Sequence, residues 1–201
     1  MSRFLTAVTM LGLLGLMLGL ASNSEPEGAS SPTIQDQRTF EGVARCKTCH
    51  RKPEQGEQFR LWEESAHAKA FATLATDEAK AIAAEKGIED PQTADACLKC
   101  HVTAYDAAEE LLGRRHSIED GVGCESCHGA GGDYYKKKTM KAIYAGEIDG
   151  ASVGLIEPTE ELCVACHNEE SPTYKEFVYD ERVAEIAHPT PEGGSPDSDE
   201  D

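Results

Sequence analysis

Aromatic residues are scarce in this 201-residue chain. They make up 6%, with a single tryptophan, and hydrophobic residues of all kinds reach only 39%. An interior filled mainly by large apolar side chains is therefore not to be expected. Positive charge is also short: 19 lysines and arginines stand against 37 acids, a formal net charge of −18. That balance excludes a nucleic-acid-binding surface. No Gly-rich phosphate loop, serine triad or paired-carboxylate site stands out. Nor is any cysteine left over once one recurring pattern is accounted for.

The pattern is Cys-x-x-Cys-His, which occurs at Cys46/Cys49/His50, Cys97/Cys100/His101, Cys124/Cys127/His128 and Cys163/Cys166/His167, and it uses all eight cysteines. On one helical turn the two cysteines project from the same side, with the histidine beside the first of them. Two thioethers can then fix the edge of a haem while the imidazole meets its iron, which is the signature of c-type haem attachment. Structural zinc, a redox dithiol or disulfides would each explain paired cysteines. None explains a histidine after the second cysteine in every copy. The expectation is four covalently bound haems, with His50, His101, His128 and His167 as iron ligands.

Residues Phe4 to Ala21 carry no charge, follow Arg3, and are rich in Leu, Gly and Met. They read as a signal peptide, 1–21, with an uncleaved N-terminal anchor as the alternative, because the run is just long enough to span a bilayer. Either way the folded part lies outside the cytoplasm, and the expected location is the periplasm. Residues 22–38 read as a disordered leader and 190–201 as a disordered acidic tail. Between them lies a single domain, 39–189. About 180 residues remain after the signal, or about 45 for each haem, so porphyrin must supply much of the interior. The expected fold is mainly α, with short helices and long loops packed around the cofactors.

Glu54 to Glu85 has helix-forming composition, with Phe59, Trp62, Ala66, Ala70 and Leu74 at helical spacing and His67 on or beside that face. Gly87, Asp90 and Pro91 break it. Short helices are expected over Ala104–Leu112, over Tyr134–Ile143, and from Glu160 into the fourth motif. The run Lys136-Lys137-Lys138 reads as a solvated helix face or a contact for haem propionates.

Four of the seven histidines belong to the motifs, leaving His67, His116 and His188. Three cannot serve as sixth ligand to four irons, so at least one haem has another ligand or none. Three of the four methionines fall in the first 17 residues, which leaves Met140 as the available thioether. A methionine ligand would raise that haem's potential; an open iron would bind a small molecule such as nitric oxide.

The chain resembles the cytochrome c554 family of tetrahaem cytochromes. The resemblance runs from about Phe40 to His188, on Cys46-x-x-Cys-His, Trp62, Ser65-Ala-His-Ala-Lys-Ala70, Cys97-Leu-Lys-Cys-His-Val102, Gly121-Val-Gly-Cys-Glu-Ser-Cys-His-Gly129 and Leu162-Cys-Val-Ala-Cys-His167. It implies a mainly helical domain with closely stacked haem pairs, three haems bis-histidine and one five-coordinate. By position it implies His67 as ligand to the third haem, with His128, and His188 to the fourth, with His167. It leaves the second haem, on His101, open. It also implies a histidine shortly after the third motif for the first haem, on His50. This sequence has Tyr134-Tyr135-Lys136-Lys137-Lys138-Thr139-Met140 there, making Met140 the preferred ligand and Lys138 a weaker one. His116 either lines the pocket over the second haem or caps its iron.

The function expected is electron transfer between protein redox partners, the acidic surface suiting a basic docking face on one of them. The alternative is an enzyme reducing nitric oxide or a related nitrogen oxide at the five-coordinate haem. The membrane enters only if the N-terminal segment is retained.

Overall fold

Helices in this protein are short because the sequence keeps interrupting them. The computed structural model describes residues 37–190; the expected signal, nearly all of the leader and all but one residue of the tail lie outside the described residues. Among the described residues no helix is long and apolar enough to cross a membrane. Three motifs are each carried by one short helix: α1 (Val43–His50), α5 (Asp95–His101) and α6 (Cys124–His128). The fourth begins in α8 (Glu160–Val164), and its Cys166 and His167 follow in a turn held by N–H groups donating to the Cys163 carbonyl at 3.2 and 2.9 Å.

The helical stretch expected over 54–85 is real but divided. It becomes α2 (Gln58–Glu64), a 3-10 turn at His67–Lys69, α3 (Ala70–Thr73) and α4 (Asp77–Glu85). Hydroxyl side chains make the cuts. Ser65 is extended and its Oγ accepts from Ala68 N–H at 3.4 Å, and Thr76 caps α4 by accepting from Ala79 N–H at 3.2 Å. Such residues satisfy the first N–H groups of a new helix better than they continue an old one.

Two other expectations are corrected. Over 104–112 the chain forms a turn, with Ala104 at φ 58°, and then a 3-10 segment at Glu109–Leu111, not an α-helix. What replaces it is a non-local pairing: Phe40 N–H donates to Leu111 C=O and Gly113 N–H to Phe40 C=O, both at 2.8 Å, around a parallel bridge between Phe40 and Leu112. The helix expected from Tyr134 starts later, as α7 (Lys137–Tyr144). Tyr134 is instead buried, its hydroxyl donating to the Gly129 carbonyl at 2.7 Å and the His128 carbonyl at 3.1 Å. The last helix is α9 (Tyr179–Ile186).

The buried hydrophobic set among the described residues is small: Val43, Phe59, Leu74, Ala83, Val102, Ala130 and Tyr134. Polar contacts carry the long-range connections. Glu125, 5% exposed, accepts backbone N–H bonds from Glu41 at 2.7 Å, Gly42 at 2.8 Å and Gly131 at 2.7 Å. One carboxylate thus ties the entry of α1 to the turn after α6. Arg38 belongs to the folded unit rather than to the leader: it is buried, pairs with Asp133 at 2.9 Å, and donates to the Ser152 carbonyl at 3.1 Å.

Glu125→Ala leaves three N–H groups without their acceptor. We expect a loss of about 3 kcal/mol, or about 10 °C in melting temperature, with Glu125→Gln in between. Calorimetry of the loaded protein checks this, and a fall under about 2 °C would mean the donors find other partners.

Candidate haem sites

The motif histidines are held by their outer ring nitrogens. His101 Nδ1 contacts the Ala70 carbonyl at 2.7 Å and His128 Nδ1 the Ile156 carbonyl at 3.4 Å. A carbonyl only accepts, so each Nδ1 carries the proton and each Nε2 keeps its lone pair for a metal. His50 Nδ1 lies 3.3 Å from Gln58 Oε1. The Gln58 amide is fixed in turn because its Nε2 donates to the Pro189 carbonyl at 2.9 Å and to that of Gln55. His167 is oriented by stacking on Phe177, with ring centres 4.8 Å apart.

Two histidines from outside the motifs face two of these rings. The ring centres of His67 and His167 are 6.0 Å apart, and those of His188 and His128 are 5.8 Å apart. Imidazoles on opposite sides of one first-row metal ion, at bonds of about 2.0 Å, put their centres about 6 Å apart. Both pairs therefore fit an iron held between them. The pairing is the reverse of the one the resemblance implies: His67 meets the histidine of the fourth motif and His188 that of the third. Residues adjacent in one motif point to different neighbours in the fold, and sequence order does not reveal which.

Burial lowers the proton affinity of all four rings. For His67 the facing His167 adds to it; for His128, His188 and then His50 do; Arg182 acts on His167, and His50 on His188. These imidazoles are thus neutral at pH 7, as metal ligands must be.

His67 is placed by the nonhaem residues that surround it in sequence and fold. Trp62 Nε1 donates to the Val122 carbonyl at 2.9 Å, and Val122 N–H donates to the His67 carbonyl at 3.0 Å. Gly121, at φ 66°, has no Cβ to meet that same carbonyl, which a side chain would approach to 2.7 Å. A Cβ on Gly123 would come within 2.6 Å of Val43 Cγ2. Both glycines are needed for the third motif to lie against His67 and α1.

The cysteines come together in an order unlike their order in sequence. Cys46 Sγ donates to the Gly42 carbonyl at 3.9 Å, and the neighbouring Cys124, with burial, raises the Cys46 thiol. Burial and a hydrogen bond with Cys100 push Cys166 up to about 12. Burial, and then Cys163, raises the Cys127 thiol. Glu125 holds the first motif against the third, and Cys166 Sγ lies 3.9 Å from the Lys99 carbonyl while Lys99 pairs with Glu170 at 2.7 Å, joining the fourth to the second, so the motifs follow one another as first, third, fourth, second.

Cys49 and Cys97 stand outside this chain of contacts. At the first motif Cys46 stands beside Cys124, and Cys49, half-buried, follows it on the same helix. The Cys49 carbonyl accepts from Lys52 N–H at 3.4 Å. Cys49 lies in the last turn of α1, three residues beyond Cys46 and seven beyond Gly42, whose N–H Glu125 binds. At the other end of the order, burial raises the Cys97 thiol. All eight cysteines are half-buried and unpaired by disulfides.

Zinc fits this arrangement poorly. A structural zinc site needs four convergent protein ligands, and among the described residues no three His, Cys, Asp or Glu side chains converge as a metal set. A haem brings its own equatorial nitrogens and asks the protein for one or two axial groups, which the facing histidines offer.

The remaining candidates lie elsewhere. His116 Nε2 donates to the Thr103 carbonyl at 3.1 Å and lines a small pocket with Val43, Asp120, Gly123 and Cys124, between the first and third motifs. Met140 is half-buried and Lys138 exposed, both on α7. Sequence reasoning missed Glu125, Gln58 and Phe177. Glu125 occupies a variable position inside a motif, where an acid in a short helix gave the only hint.

A family model described as cytochrome c554 and c-prime matches residues 45–129. Cytochrome c-554 of Nitrosomonas europaea is 31% identical over 175 residues, covering 78% of this chain and 66% of the relative. The chain thus spans just under two thirds of that curated protein's length. No solved structure matches it.

The ring pairing is testable by removing one haem. In a chain with Cys163→Ala and Cys166→Ala, His67→Ala should add no new high-spin ferric signal by electron paramagnetic resonance, whereas His188→Ala should. The opposite pattern would restore the pairing implied by the resemblance.

Proposed function

Because the chain belongs to the cytochrome c554 family, we propose that it is a periplasmic tetrahaem c-type cytochrome that carries electrons between protein redox partners. The observation that supports this most is the spacing of the two facing histidine pairs, which suits low-spin irons made to change oxidation state rather than to bind substrate. The bound haems supply the one-electron chemistry. The chain's own residues hold them, set which nitrogen faces each iron, and limit the access of water.

In this reading Cys46 and Cys49 attach the first haem, Cys97 and Cys100 the second, Cys124 and Cys127 the third, and Cys163 and Cys166 the fourth. His167 and His67 ligate the fourth haem, and His128 and His188 the third. His50 and Met140 serve the first, and His101 alone serves the second. The order of cysteine contacts supports a path from the first haem through the third and fourth to the second. The acidic surface favours a basic redox partner and disfavours nucleic acid. Export follows from the charge-free segment at residues 4–21.

A second reading is reduction of nitric oxide or a related nitrogen oxide at the second haem. One observation favours an open iron there: His67, His116 and His188 are each engaged with groups other than His101.

Electron paramagnetic resonance of the oxidised, loaded protein tests both. We expect one high-spin ferric haem whose signal nitric oxide removes; turnover with that oxidant would make the protein an enzyme, and its absence a carrier. Four low-spin haems indifferent to nitric oxide would close the second site. Met140→Leu should add a second high-spin haem and abolish the sulfur-to-iron charge-transfer band. His116→Ala should leave every spin state unchanged.

A further inference from the structure

Charge in this chain is concentrated rather than spread. Residues 43–52 and 136–141 hold 8 of the 19 lysines and arginines and none of the 37 acids. The fold joins the two stretches. The Arg45 guanidinium lies 4.8 Å from the centre of the Tyr135 ring, and Lys136 Nζ lies 5.9 Å from the same centre. Lys47, Arg51, Lys52, Lys136 and Lys138 are exposed.

Carboxylates reach two of the named cations. Glu41 takes Arg45 at 3.2 Å, and Glu54 approaches Lys52 at 3.7 Å. Among the described residues no carboxylate pairs with Lys47, Arg51, Lys136 or Lys138. By contrast, residues 157–185, around the fourth motif, hold nine acids against Lys175 and Arg182.

We infer that α1 and the start of α7 form a basic docking pole at the first haem motif, and that it fits an acidic redox protein. The inference rests on the carrier reading above. An acidic partner approaching a molecule of net charge −18 is repelled at long range. At physiological salt that repulsion is screened beyond about 8 Å, so the cations under the contact decide the docking. The first motif stands at one end of the cysteine order, so a partner held there meets the end of the haem path. The acidic region near the fourth motif suits a basic partner and repels an acidic one. Opposite charges at separate places keep the donor and acceptor from competing for one face.

The test is calorimetric titration of the full, haem-loaded chain with oxidised flavodoxin, a strongly acidic protein, at low ionic strength. Binding should weaken with salt. It should also weaken about tenfold in Arg51→Glu/Lys136→Glu, but no more than about twofold in Lys80→Glu/Lys175→Glu, which changes net charge equally. Basic cytochrome c, titrated in parallel, should bind the Arg51→Glu/Lys136→Glu variant as it binds the parent.

Equal losses in both variants would leave only net charge at work and overturn the pole. So would absence of flavodoxin binding, or binding that appears only after residues 191–201 are deleted, since the tail would then be the occupant. A lower haem-to-protein ratio in the pole variant would assign the cations to haem propionates and also overturn it. Reduction of the same samples by an uncharged reduced flavin keeps the carrier reading separate, because it proceeds whether or not the pole binds.

Discussion

Three backbone N–H groups converge on the Glu125 carboxylate, two from the segment entering α1 and one from the turn after α6. A buried carboxylate is costly unless its oxygens are satisfied, and here the backbone satisfies them. That contact sets the first motif against the third, with Cys46 beside Cys124. From there the Gly121-Val122-Gly123 segment receives Trp62 and supports the His67 carbonyl. The position of His67 thus depends on a chain of polar contacts that begins inside another motif.

Such an arrangement suits a protein whose interior is shared with cofactors. Few hydrophobic side chains are buried among the described residues, so packing against large flat ligands, rather than side-chain packing alone, must stabilise the loaded state. The backbone carbonyls of Ala70 and Ile156 and the Gln58 amide each fix one ring. Gln58 also contacts Pro189, next to His188, and so links the first motif to the C-terminal segment whose His188 faces His128.

The chemistry was legible in the sequence because it is local: cysteines three apart and a histidine next to them need no fold to be read. Helix content was legible too, although Ser65 and Thr76 divided what periodicity joined, since hydroxyl capping competes with apolar spacing and usually wins at helix starts. Partner choice was not legible. Whether His67 faces His128 or His167 depends on how distant turns pack, and the same holds for Arg38, whose burial rests on Asp133 and the Ser152 carbonyl. The Phe40–Leu112 bridge replaced an expected helix for that reason as well: a non-local pairing outweighed a local propensity.

The central claim is that every cysteine of this chain holds a haem and that the fold is built around four of them. Intact mass of the haem-loaded protein, taken under denaturing conditions, tests it most directly. The account predicts a gain over the polypeptide of four haems, retained after unfolding because thioether bonds do not dissociate. A smaller gain, haem lost on denaturation, or bound zinc in its place would contradict it.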